Sequence, residues 1–262
     1  MIYRSALIIA LAAIGTSAAH AAAWTQPKGS GQVIVTAVHT KSDKGFDNEG
    51  KTTDIADYEK SEAYALVEYG VTDDLTVMIT PSFSDISIDG PGGDTSGLGY
   101  TEVGARYRLA HGDGAVLSVQ GSARLHGKRR RDTLGQASAT GSEFDARILG
   151  GTSFDLGGVP AFVDLQGGYR WRNGSSPNEF HLDTTLGLRP AEPLMILAQS
   201  FTTISDGAGE AGFAEYRYSN AYLSGVYDIS KSWSVQAGGI FTIDGRNALR
   251  ERGVLAGLWY RF

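Results

Sequence analysis

Apolar and polar residues alternate along this chain with a period of two, in twelve separate segments. In 75–85, Leu75, Val77, Ile79, Pro81 and Phe83 interleave with Thr76, Met78, Thr80, Ser82 and Ser84. In 161–172, Val163, Leu165, Tyr169 and Trp171 oppose Asp164, Gln166, Arg170 and Arg172. That period is the signature of strands with two chemically different faces. The same reading predicts strands at 32–41, 59–70, 98–109, 115–126, 142–154, 179–189, 194–204, 214–227 and 233–243, with a closing strand at 253–262. In 214–227 the favoured parity changes between Arg217 and Leu223, which predicts a bulge there.

The connections alternate too. Brief turns follow the even segments, as at Val71-Thr72-Asp73-Asp74 and Pro190-Ala191-Glu192-Pro193. Longer polar stretches follow the first, third and fifth segments: 42–58, 86–97 and 127–141. Short turns on one side and long loops on the other predict an all-β fold: an antiparallel up-and-down transmembrane β-barrel of about twelve strands. A closed barrel leaves no unpaired edge in hydrocarbon, which an open sheet ending on an apolar strand would do. Aromatic residues near strand ends on the apolar face (Tyr69, Tyr107, Trp171, Trp233, Tyr260, Phe262) suit the two membrane interfaces. At this strand number the expected lumen is narrow and hydrated.

Residues 1–23 read as a secretory signal peptide, with Arg4, an apolar run from Ala6 to Ile14, and small-x-small sites at Ala19-His20-Ala21 and Ala21-Ala22-Ala23. Residues 24–262 then form the barrel domain, preceded by a polar lead-in, Trp24 to Gly31, placed on the periplasmic side. An even strand count puts both termini there. Nowhere else does an apolar run reach the length of a membrane-spanning helix. The chain has no Cys and a formal net charge of −6. The first excludes disulfides, thiolate metal sites and Cys nucleophiles; the second argues against a nucleic-acid partner.

Candidate chemistry sits on the polar faces. The expected lumen lining comprises Glu68, Glu102, Arg106, Arg108, Arg124, Glu143, Asp145 and Arg147 from the first half of the barrel. Asp164, Arg170, Arg172, Glu179, His181, Asp183 and Arg189 complete it. The arginines either form a ladder steering an acidic or sugar-like solute or pair with neighbouring carboxylates and brace the wall. Lys128, Arg129, Arg130 and Arg131 are a basic run fit for lipopolysaccharide phosphates or an acidic polysaccharide, or a solvated loop start. His181 beside Asp183 and Glu179 suggests a base for lipid hydrolysis, but no Gly-x-Ser-x-Gly elbow accompanies it. The scattered histidines make no metal constellation, and Gly207 to Gly212 matches a dinucleotide fingerprint without the helix it needs. No cofactor and no catalytic residue is assigned.

Two resemblances bear on role. Gly257-x-x-Tyr260-x-Phe262 resembles the C-terminal insertion signal read by the barrel-assembly machinery of Gram-negative bacteria, with Leu255 where that signal usually has a polar residue. Ala23 to Ile34, and Tyr58-Glu59-Lys60 with Leu66 to Asp73, are similar to the XagA-like outer-membrane proteins. A looser resemblance is to barrels of aromatic-degradation pathways. The first family implies a place beside exopolysaccharide or biofilm export, the second passage of small organic molecules. The expectation is a non-enzymatic barrel in the bacterial outer membrane, part of the cell envelope, among lipid and lipopolysaccharide. It acts as a narrow channel or conduit for small polar or organic solutes or an exported polysaccharide. The alternatives are a non-conducting structural or surface-binding barrel and an outer-membrane lipid hydrolase.

Overall fold

Twelve long strands and one two-residue strand form a single antiparallel sheet closed on itself, in a computed structural model describing residues 23–89, 94–127, 141–210 and 214–262. In chain order the first six are β1 (Gly31–Phe46), β2 (Thr52–Gly70), β3 (Leu75–Ile88), β4 (Thr95–Gly112), β5 (Ala115–Leu125) and β6 (Glu143–Leu156). They continue as β7 (Val159–Arg172), β8 (Glu179–Ala191), β9 (Leu194–Ser205), β10 (Arg217–Asp228), β11 (Trp233–Arg246) and β13 (Arg252–Arg261). The short β12 (Ala248–Leu249) lies against the far end of β1. Each long strand pairs with the next, and β1 closes the cylinder against β13 from Gln32↔Arg261 to Lys41↔Arg252. One more reciprocal pair seals the seam: Gly31 N–H donates to the Phe262 carbonyl at 2.9 Å and Phe262 N–H to Gly31 at 3.0 Å. A Cβ on Gly31 would lie 2.4 Å from the Glu68 carbonyl, so the seam needs glycine there.

The apolar faces point out. Leu117, Leu182 and Phe241 are 42%, 57% and 45% exposed, whereas Glu143 and Asp164 on the opposite faces are each 1% exposed. A soluble barrel would reverse that order. Aromatic clusters mark both ends of the apolar band. Trp233 and Tyr260 have ring centroids 4.6 Å apart at the short-turn end, and Tyr169 meets Trp171 at 4.9 Å towards the long-loop end.

Several sequence expectations change. The stretch 42–58 is mostly strand, because β1 and β2 continue to a tight turn at 47–51. There the Asp47 carboxylate accepts from the N–H groups of Glu49 and Lys51, each at 2.8 Å, and these bonds hold its carboxyl below the usual carboxylate range. Strands β3 and β4 likewise take up six of the twelve residues 86–97. The predicted parity change in β10 is absent. Tyr218, Asn220 and Tyr222 line the lumen and Ser224 and Val226 are buried on the same face. The irregularity falls on β11, where Ser219↔Asp244 is followed by Asn220↔Thr242 and Ile243 is left unmatched. Inward tyrosines had the look of an outward face. Residues 1–22 and the basic run Lys128 to Arg131 lie outside the described residues.

Candidate functional site

The lumen has two unlike walls. Strands β4 to β8 carry the charges, set opposite one another by register: Glu143 faces Arg172, Asp145 faces Arg170, and Arg170 faces Glu179. Glu143 sits 2.5 Å from Arg124 and 3.1 Å from Arg172. Asp145 lies 2.7 Å from Arg147 and 3.0 Å from Arg170, and Arg147 also bonds Asp183. Glu179 takes Arg172 at 2.8 Å and the phenol of Tyr216. Arg124 stacks over the Tyr100 ring at 4.2 Å and reaches Glu102 at 3.6 Å. Each guanidinium is therefore matched by carboxylates, and its attraction for a passing anion is largely cancelled. The ladder of free positive charge is not what the geometry presents.

At the short-turn end the lumen is filled. Its lining would be wet in an open pore, yet Thr76, Ser118, Leu149 and Ser234 are fully buried. The filling is the lead-in itself, which enters the barrel from the short-turn end. Ala23 donates its N–H to Asp164 at 2.6 Å and accepts from the Ser118 hydroxyl at 2.6 Å. Arg106 donates to the Trp24 carbonyl at 2.9 Å and pairs with Glu68 at 3.0 Å. Gln26 bonds Thr76 through its N–H and Glu68 through its side chain. Two glycines make room. A Cβ on Gly151 would lie 2.3 Å from the Trp24 ring, and one on Gly70 2.2 Å from the Pro27 carbonyl. The Trp24 ring then meets Phe162 edge-on, with centroids 6.2 Å apart. Across the lumen an inward apolar cluster of Met195, Leu197, Val226 and Trp259 occupies the same half.

The long-loop half is open. A cavity of about 510 Å³ is lined on the β1–β2 side by Thr40, Tyr58, Lys60, Glu62 and Tyr64, and on the β10 side by Tyr216, Tyr218, Asn220 and Tyr222. Arg172 and Glu179 line it towards the charge belt, and Glu251 joins from the seam.

Of the anticipated lining residues, Arg108 and Arg189 lie at the short-turn rim, paired with Asp74 at 2.7 Å and Asp228 at 2.8 Å. His181 faces the lumen, 3.1 Å from Glu179 and 3.5 Å from the Thr203 hydroxyl. Lipid acyl chains would lie on the other side of the wall, so this geometry gives a hydrolase base no substrate. Tyr260 and Phe262 point outward, while Gly257 faces in beside Gln236. Leu255 is buried inside. The tyrosine wall and the inward Met195, Leu197 and Val226 were missed because the reading took apolar faces to be outer faces. Gly151, a glycine inside a strand, was the available sign of a close approach.

No family model and no curated protein matches this sequence. By structure the chain is similar to the COG4313 outer membrane channel from Pseudomonas putida F1, with a TM-score of 0.77 at 17% identity over 92% of this chain and 98% of that one. It is also similar to the KdgM porin, at a TM-score of 0.55 and 10% identity over 87% and 99% of the two chains. The NanC porin gives 0.52 at 8% identity over 86% and 98%. What these likenesses share with this chain is the fold of an outer-membrane β-barrel.

Proposed function

We propose that the protein is a passive, non-enzymatic channel of the bacterial outer membrane for small solutes, closed at rest on its periplasmic side by residues 23–28. The observation that carries this reading is the asymmetry of the lumen. Its outer half is an accessible cavity, and its inner half is blocked in large part by a segment of chain that belongs to no strand. A wall cannot retract without unpairing strands, but a lead-in held by seven side-chain hydrogen bonds and one aromatic ring can. Its charges are arranged as a belt of matched pairs, which admits polar solutes without trapping ions of either sign. Both termini are periplasmic in this reading, as the short-turn end of such barrels is. The channel and porin neighbours agree with it, and the solute is a small polar or organic molecule.

Planar bilayers test the proposal. The intact protein is expected to give infrequent openings, and a Trp24→Ala/Gln26→Ala variant frequent ones. Replacing Arg170 or Arg172 by Glu is expected to shift ion selectivity towards cations. Silence from the double variant, with the gel mobility of a folded barrel, would overturn the channel reading. It would favour the second one, a non-conducting structural or surface-binding barrel, possible partners being the exopolysaccharide machinery that the XagA-like resemblance suggests. The filled inner half is the observation on that side.

A further inference from the structure

The outer cavity combines two features that a general pore does not need. Its walls bring together five tyrosines, Tyr58, Tyr64, Tyr216, Tyr218 and Tyr222. Its positive charges are also already committed: Lys60 lies 2.7 Å from Glu62, and Arg172 is held by Glu143 and Glu179. One carboxylate is left. Glu251 accepts a hydrogen bond from the Thr40 hydroxyl at 3.0 Å and has no ion pair among the described residues. It sits close enough to Tyr58, Tyr218 and Tyr222 for its charge to act on all three.

We infer that this cavity is a binding site for a small organic cation, with Glu251 opposing the positive charge and tyrosine faces covering the apolar groups around it. Aromatic faces attract cations through the negative potential above the ring, and more strongly where water is partly excluded. An unpaired carboxylate amid those rings sets the sign of the ligand. An acidic sugar would instead have to take Arg172 from two carboxylates, and would meet Glu251 unshielded. A volume of about 510 Å³ accommodates one small molecule and leaves part of the cavity for water. The inference deepens the channel reading by naming a class of solute. It concerns binding to the closed protein, so a failure of conductance leaves it standing.

The test is titration of the purified full chain in detergent micelles by calorimetry, using benzyltrimethylammonium, its neutral carbon isostere neopentylbenzene, and galacturonate. Benzyltrimethylammonium is expected to bind at least tenfold more tightly than either of the others. Glu251→Gln is expected to weaken it about tenfold, and Tyr222→Leu several-fold. Should Glu251→Gln lose the gel mobility of the folded barrel, Tyr58→Leu takes its place, with the same expected several-fold loss. Equal binding of the neutral isostere, tighter binding of galacturonate, no binding by any probe, or variants indistinguishable from the parent would each overturn the inference.

Discussion

Replacing Gly151 by Val should open the channel without harming the barrel. The new Cβ would sit 2.3 Å from one atom of the Trp24 ring and 2.4 Å from another, so ring and side chain cannot occupy the site together. The strand itself accepts valine readily, since β-branched residues suit a pleated wall. Truncating a buried Trp costs about 3–5 kcal/mol. Trp24 is only partly buried, so the seated state should lose roughly 2 kcal/mol, or about 30-fold in the ratio of closed to open. Single-channel recording reads that ratio directly as open probability. The neighbouring Gly150→Val is the control, because its Cβ would point outward with nothing within 4 Å. Equal open probability in the two variants, both folded, would refute the assignment of Trp24 as the stopper.

Other consequences follow from the same geometry. Glu143→Gln leaves Arg124, Arg170 and Arg172 short of a buried carboxylate and should cost about 3–5 kcal/mol, seen as a lower heat threshold for the gel-mobility shift of the barrel. Leu182→Arg puts a charge on the lipid face and should cost about 2–4 kcal/mol in the same assay if the position lies near mid-membrane. Because Ala23 is bound through both its N–H and its carbonyl, the leader should be cut after Ala21, and intact mass should show a mature chain starting at Ala22. The 47–51 turn gains order from an Asp47 carboxyl whose pKa is lowered on folding. That contribution is present above about pH 4 and lost as pH falls through the lowered value, which amide exchange at Lys51 would report.

Much of the wall was legible in the alternation, since a strand between lipid and water must present one chemistry to each. Leu182 between His181 and Asp183 states its own orientation. What escaped was everything that depends on the lumen not being water. Met195, Leu197 and Val226 point inward because they pack on one another and on Trp259, with Ile34 and Phe162 against them, and no local pattern records contacts made across so much of the chain. The tyrosines of β10 misled for a related reason: Tyr218 and Tyr222 are amphipathic, and their parity alone does not reveal which side is wet. The arginine pairs were anticipated as one of two readings. Register decided between them, by placing Asp145 opposite Arg170 and Glu143 opposite Arg172.

A chain with no native cysteine allows a single thiol to report its surroundings cleanly. Cysteines placed singly at Asn220, Leu182 and Ser118 in the membrane-inserted protein would be timed against water-soluble and lipid-soluble thiol reagents. The account predicts that position 220 reacts quickly with the water-soluble reagent, 182 only with the lipid-soluble one, and 118 with neither until Gly151→Val is added. Rapid aqueous labelling at 182 with protection at 220, or open aqueous access to 118 in the parent protein, would contradict it.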